Sequence, residues 1–188
     1  MNWKYIFNPF EKFDEKTLLI VGISIYIIVN LIAYFSGSKL DGIMHFDSLD
    51  EKNVVKEMLL SFGVIAVSTV LIFILGKIFN RRTRLIDIVN MILISLFPTI
   101  LILLIGEIPV YKTAVHQVAK LATENSPVIG SDLIIVLLFT FLLLPFLIYN
   151  IVLLYNGFKT ATNTKKWQHI AIFFAFIFIL NTITQILI

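Results

Sequence analysis

Residues 81–105 read RRTRLIDIVNMILISLFPTILILLI, and this stretch decides the fold. Three arginines stand before a run from Leu85 to Ile105 whose single charge, Asp87, falls in the first turn. A helix rises about 1.5 Å per residue, so such a run covers the roughly 30 Å of a bilayer's hydrocarbon. The run shows neither strand-like alternation nor a one-sided apolar stripe, which excludes a half-buried strand and an ordinary surface helix. Pro98 sits near its middle, removes one backbone donor and predicts a kink.

Working outward, the same reading applies at 17–35, 58–79, 132–155 and 167–188. With 85–105 these make five expected spans, and residues 1–188 read as a single transmembrane domain. The fourth run also carries a central proline, Pro145. At 59% hydrophobic and mean hydropathy +0.95, a chain of 188 residues has too little interior to hide its apolar surface from water. The short alternating strands of a membrane β-barrel are missing. The expected class is an all-α, polytopic integral membrane protein.

The basic residues are sorted by side. The N-terminal tail, the loop after the second run and the loop after the fourth hold ten of the fifteen Lys and Arg, with four acids. The other two loops hold five, with eight acids. The positive-inside rule then gives an N-in, C-out chain. A cleaved signal peptide is not expected, because the leading segment is long and mixed in charge and the first apolar run exceeds an h-region. With no cysteine, disulfides, thiolate metal sites and catalytic thiols are excluded.

The connections carry their own expectations. Trp3, Tyr5, Phe7, Phe10 and Phe13 make the tail an interfacial anchor. Ser48 with Glu51 three residues on resembles a capping box, so the second helix is expected to begin near Leu49. Residues 110–123 predict an outer amphipathic helix, with Tyr111, Val115, Val118 and Ala122 on one face and an end near Asn125-Ser126-Pro127. The stretch from Asn156 to Lys166 reads as a short basic loop, with Trp167 as the interfacial anchor after it.

Candidate functional residues fall into three groups. No charge lies mid-span, which argues against ion-coupled transport, since such pathways keep an intramembrane ionisable group. Asn90, Asn150, Asn181 and Gln185 are the polar intramembrane residues. They read as interhelical hydrogen-bonding groups, with a solute pathway between kinked helices as the alternative. His45, Asp47, Asp50 and Glu51, joined by His116, form an outer imidazole and carboxylate set of the kind a divalent metal accepts, at a generic spacing. Arg81, Arg82, Arg84, Lys159, Lys165 and Lys166 could attract anionic lipid headgroups at ~1 kcal/mol per charge. Topology already accounts for those six cations. No H-E-x-x-H, G-x-S-x-G, P-loop or G-x-G-x-x-G occurs, so no catalytic residue, cofactor or nucleic-acid partner is expected.

Two stretches carry a family resemblance. Arg82-Thr83-Arg84-Leu85 leads into the span with Pro98. Leu154-Tyr155-Asn156-Gly157-Phe158-Lys159-Thr160-Ala161 precedes Trp167 and a final helix. With the five-span, N-in layout, these resemble the Ypt-interacting protein (Yip) family. The second is similar to the Gly-hydrophobic-Lys-x-Ala turn between the last two spans of bacterial members. The resemblance implies a non-enzymatic membrane protein of a bacterial cytoplasmic (inner) membrane, acting through membrane lipids, a protein partner or a homo-oligomer. Eukaryotic relatives bind prenylated small GTPases. Their Asp-Leu-Tyr-Gly-Pro motif does not occur here, so the membrane architecture is implied and GTPase binding is not. An oligomeric small-solute transporter or channel is the other reading, and a metal-binding membrane protein is a third.

Overall fold

In the computed structural model, residues 3–49, 53–124 and 130–187 are described. The tail forms α1 (Lys4–Phe7) and a 3-10 turn (Pro9–Glu11), followed by α2 (Glu15–Ser36). A hairpin of β1 (Ser38–Leu40) and β2 (Phe46–Ser48) leads to α3 (Val54–Phe79). Then come α4 (Leu85–Ser95), α5 (Phe97–Gly106), α6 (Pro109–Thr123), α7 (Ser131–Thr162) and α8 (Trp167–Leu187). Among the described residues, five helical stretches are long and apolar enough to cross a membrane, with α4 and α5 together making the third.

The helix that Pro98 interrupts is the centre of the bundle. Ile88, Met91 and Ile92 are fully buried, and α4 packs against α2, α3 and α7. Pro98 has no amide to give, and the chain turns at Leu96, where Thr99 N–H bonds the Leu96 carbonyl (3.1 Å). The Ser95 carbonyl is thereby left without its usual helical donor. Asn150 of α7 supplies one, with Nδ2 2.9 Å from it. Pro145, by contrast, sits inside an unbroken α7. Much of α7 turns large apolar side chains outward, including Ile134, Leu138, Phe141 and Ile148. In water that surface would be a liability; in hydrocarbon it is the expected lipid face.

Helix ends follow local chemistry. Asp14 caps α2: its carboxylate accepts from Thr17 N–H (3.0 Å) and from Thr17 Oγ1 (2.7 Å). These donors, the side-chain hydroxyl first, hold the Asp14 carboxyl below the usual carboxylate range. Gly37 closes the same helix in the left-handed region (φ 75°).

Three local expectations are corrected. Ser48 is not a helix cap: it lies in β2, paired with Ser38, while Asn53 caps α3 through Lys56 N–H (3.2 Å). Glu51 lies outside the described residues. The inward face of α6 is Tyr111, Ala114, Val118 and Leu121, with Val115 and Ala122 exposed, because α7 covers that side and Tyr111 stacks on Phe139 (4.9 Å). Its expected end at Asn125-Ser126-Pro127 lies outside the described residues. Finally, α7 continues past Tyr155 to Thr162, so most of the expected loop from Asn156 is helix. The cause is packing: Phe158 is fully buried, stacked on Phe173 of α8 (3.9 Å) and edge-on to Phe79 of α3 (6.0 Å).

Candidate functional site: a polar pocket at the basic end

The turn from Asn80 to Arg84 is built rigidly. Thr83 is fully buried, its hydroxyl donating to the Asn80 carbonyl (2.8 Å) and lying 3.0 Å from that of Gly76. Asn80 accepts from Arg82 N–H (2.9 Å) and donates to the Thr162 carbonyl (2.8 Å), which ties the turn to the end of α7. Arg84 is thereby placed beside the start of α2, where its guanidinium pairs with Glu15. One turn on, Asn90 donates to the Glu15 carbonyl (3.1 Å).

Between these groups and α7 lies a cavity of about 420 Å³. Arg84, Asp87 and Asn90 form one wall, Glu15 another, and Gly157 and Thr160 of α7 a third; Phe10 and Phe13 of the tail close it. Gly157 is required here, since a Cβ would sit 2.5 Å from Met91 Cγ and 3.1 Å from the Phe10 ring. The tail is fixed by α7: Tyr149 donates to the Ile6 carbonyl (2.9 Å) and Asn156 to that of Phe7 (2.8 Å). The interfacial anchor expected from its aromatics is thus also a wall of the pocket.

The electrostatics are unbalanced. Asn90 is 2% exposed, and its Oδ1 has no hydrogen-bond partner among the described residues. Asp87 is half-buried, within Coulombic reach of Arg84, and makes no hydrogen bond there. With Glu15 already paired to Arg84, the cavity presents the Asp87 carboxylate without a hydrogen-bond donor among the described residues, while Asn90 Oδ1 is buried in its wall.

The remaining candidates are placed as follows. Arg81, Arg82, Lys159, Lys165 and Lys166 are all exposed, and Lys159 and Lys165 line a recess of about 280 Å³ that shares Thr160 with the pocket. The Lys159 ammonium lies 5.7 Å from the Tyr155 ring centre. Asn150 sits at the break between α4 and α5. Asn181 lies at the opposite end, where its Oδ1 accepts from Met44 N–H (3.4 Å) and Gly42 leaves it room. The three asparagines therefore do not form one file, and Gln185 is exposed. In the outer set, His45 Nδ1 meets Asp41 at 2.8 Å, Asp47 binds Ser48 N–H (2.7 Å), and His116 is exposed on α6. Among the described residues no three His, Cys, Asp or Glu groups converge on a metal-sized point; Asp50 and Glu51 lie outside them. Glu15, Gly157 and Thr160 were not singled out as site residues. The signal for Gly157 and Thr160 lay in residues 156–162, which read as loop.

Helices with lipid-facing apolar surfaces, polar groups spent on helix contacts and a polar cavity at one end define a polytopic helical membrane protein. The Yip1 domain model matches residues 3–188, and the chain belongs to this membrane-embedded family. Comparison with curated proteins and with solved structures returns no match.

Proposed function

We propose that the protein is a non-enzymatic membrane protein that works by contact with lipid or a protein partner at its basic end. The basic end faces the cytoplasm of a bacterial inner membrane in this reading, by the positive-inside rule. One observation supports it above others: the amide N–H of each buried asparagine is spent on a carbonyl of the bundle, at Tyr26, Glu15, Ser95 and Ile177. A solute pathway would need such groups turned towards a shared passage. Accessible polar chemistry gathers instead around Arg84, Asp87 and the exposed lysines.

The experiment is site-directed photo-crosslinking in native membranes, with the probe at Lys165 on the basic rim and at Phe141 on the lipid face. Defined adducts to a protein, a second copy or lipid headgroups at Lys165, absent from Phe141, are expected. Uniform adducts at both, together with a monomer indifferent to lipid, would reject the reading. Solute flux in proteoliposomes abolished by Asn150→Leu would favour the transporter instead.

A further inference from the structure

The aromatic tail covers space on both sides of Phe13. Phe10 and Phe13 line the polar cavity of about 420 Å³. Tyr5, Ile6, Pro9 and Phe13 line a separate apolar recess of about 430 Å³ against α2 and α7. Two bonds from α7 hold the tail's main chain, Tyr149 O–H to the Ile6 carbonyl (2.9 Å) and Asn156 Nδ2 to the Phe7 carbonyl (2.8 Å). Both acceptors exist because α1 stops at Phe7. Its last carbonyls have no helical donor, and Pro9 cannot carry the helix on. The side chains of Tyr149 and Asn156 stand in for the missing turn. The tail also holds itself together, with the Lys12 ammonium 4.0 Å from the Tyr5 ring centre and 5.3 Å from that of Phe13. Those contacts lie within the tail and survive its movement as a unit. At its far end Asp14 is tied to α2 through Thr17, so residues 12–14, which belong to no helix, form the pivot.

We infer that the tail is a hinged strap over the Asp87 pocket, which leaves α7 for the bilayer interface to open the pocket and refastens to close it. The inference goes beyond the reading of the basic end as a contact surface: it concerns how the pocket is reached, whichever partner meets it. Little is lost when the tail lifts. Where it bridges the two spaces it has few atoms beneath it to part from. The carbonyls of Ile6 and Phe7 exchange a side-chain donor for water at the interface. Something is gained as well, because Trp3, Tyr5, Phe7 and Phe13 are already exposed and aromatic rings settle at headgroup level. Closure is favoured by the Tyr149 and Asn156 donors and by the edge-on contact of Phe7 with Tyr149 (5.6 Å). Glu11, which shares a recess with Lys159 and Lys165, adds charge attraction in the same direction. With the strap down, Asp87 lies half-buried behind Phe10 and Phe13; with the strap up, its carboxylate is open to the interface at the basic end.

The chain has no cysteine, so Asp87→Cys places a single thiol in the pocket wall. The test is its rate of labelling by a water-soluble maleimide, with the full chain in nanodiscs of phosphatidylethanolamine and phosphatidylglycerol. That rate follows the open fraction when the strap moves faster than the label reacts. Tyr149→Phe with Asn156→Ala removes both donors and keeps the ring contact with Phe7. Labelling should then rise by about fivefold or more, the low end for two lost hydrogen bonds. Trp3→Ser acts on the open state, because the Trp3 ring is exposed when the strap is down, and should slow labelling by about twofold or more. Ser61→Cys, fully buried on α3, reports general loosening of the bundle and should stay unreactive in both backgrounds. Thermal melting checks the folding of each variant, and Thr160→Cys on the α7 wall repeats the measurement if Asp87→Cys does not fold. Equal labelling of the pocket thiol with and without the two donors would overturn the inference. Matched acceleration at Ser61→Cys would do the same, as would a Trp3→Ser chain that labels as fast as the native tail. If the thiol rates fail to respond while Lys165 crosslinks persist, the strap falls and the contact reading stands; responsive rates without crosslinks leave the strap and remove the contact.

Discussion

Replacing Asn150 by leucine should destabilise the bundle, and the size of the loss depends on Pro98. Asn150 is 3% exposed and gives its amide to the Ser95 carbonyl at 2.9 Å. Without it that carbonyl faces hydrocarbon with no donor, because Thr99 N–H is engaged with Leu96. Interhelical hydrogen bonds of this kind contribute ~0.6–2 kcal/mol. An orphaned buried acceptor costs ~1–3 kcal/mol. Against this, Asn150 Oδ1 is itself buried without a partner among the described residues, and leucine removes that burden. The net expectation is a loss of about 1–2 kcal/mol. Pro98→Ala restores an amide and lets the helix straighten, so that Thr99 N–H can return to Ser95. In that background Asn150→Leu should cost far less, giving a coupling of about 1 kcal/mol in a double-mutant cycle. The assay is reversible unfolding in mixed lipid–detergent micelles, followed by circular dichroism. Equal losses in the two backgrounds, or a leucine variant as stable as the wild type, would refute the account of Asn150 as the donor for a broken helix.

Other perturbations test the remaining contacts. Gly157→Val should lower stability by about 1–3 kcal/mol by overpacking, since its Cβ meets Met91 Cγ at 2.5 Å; Met91→Ala in the same chain should restore part of the thermal midpoint. Gly42→Ala pushes a methyl to 2.5 Å from Asn181 Oδ1, so a Met44→Cys reporter should react faster with a water-soluble maleimide in that variant. Asp14 has a folded-state pKa below its unfolded value, held down by Thr17. Its cap therefore stabilises fully above the unfolded pKa and is lost as pH falls through the folded one. The melting difference between wild type and Asp14→Asn should accordingly be largest near neutral pH and shrink below the ordinary carboxylate range.

The spans were legible because the bilayer constrains them one at a time. Length and apolar content suffice for each, and the run from Leu85 to Ile105 announced both its span and its break at Pro98. Tertiary partners were not legible. Nothing local tells Pro98, which splits its helix beside an asparagine donor, from Pro145, which does not. The hairpin between α2 and α3 was equally hidden. Its residues are polar and turn-rich, yet Leu40 and Ile43 are buried in the core, and Asp41 is 4% exposed against His45. The stretch Asn156–Thr162 read as loop because an asparagine, a glycine, a lysine and two threonines fall within seven residues; Phe158 and Gly157 instead face α8, α4 and the tail.

That last misreading bears on where function resides. The sequence places Asp87 and Asn90 on one face of α4, but a helix dipole and a local arginine account for an acid there equally well. The distinction comes from what stands opposite. Asn181 uses both ends of its amide, donating to Ile177 and accepting from Met44, and so closes the bundle against the hairpin. Asn150 spends its donor on the α4–α5 break. Asn90 spends its donor on Glu15 in the wall of a cavity that also holds Asp87 without a hydrogen bond. Three asparagines of the same type thus do different things, and of the three Asn90 alone lines the cavity that holds Asp87. Because α7 continues as helix to Thr162, Gly157 and Thr160 complete that space as a walled pocket at the basic end. The Asp87 carboxylate, half-buried in the wall of that pocket and without a hydrogen bond from the described residues, is the polar group left open to a contact, and that is the physical reason to look for one there and not along the middle of the bundle.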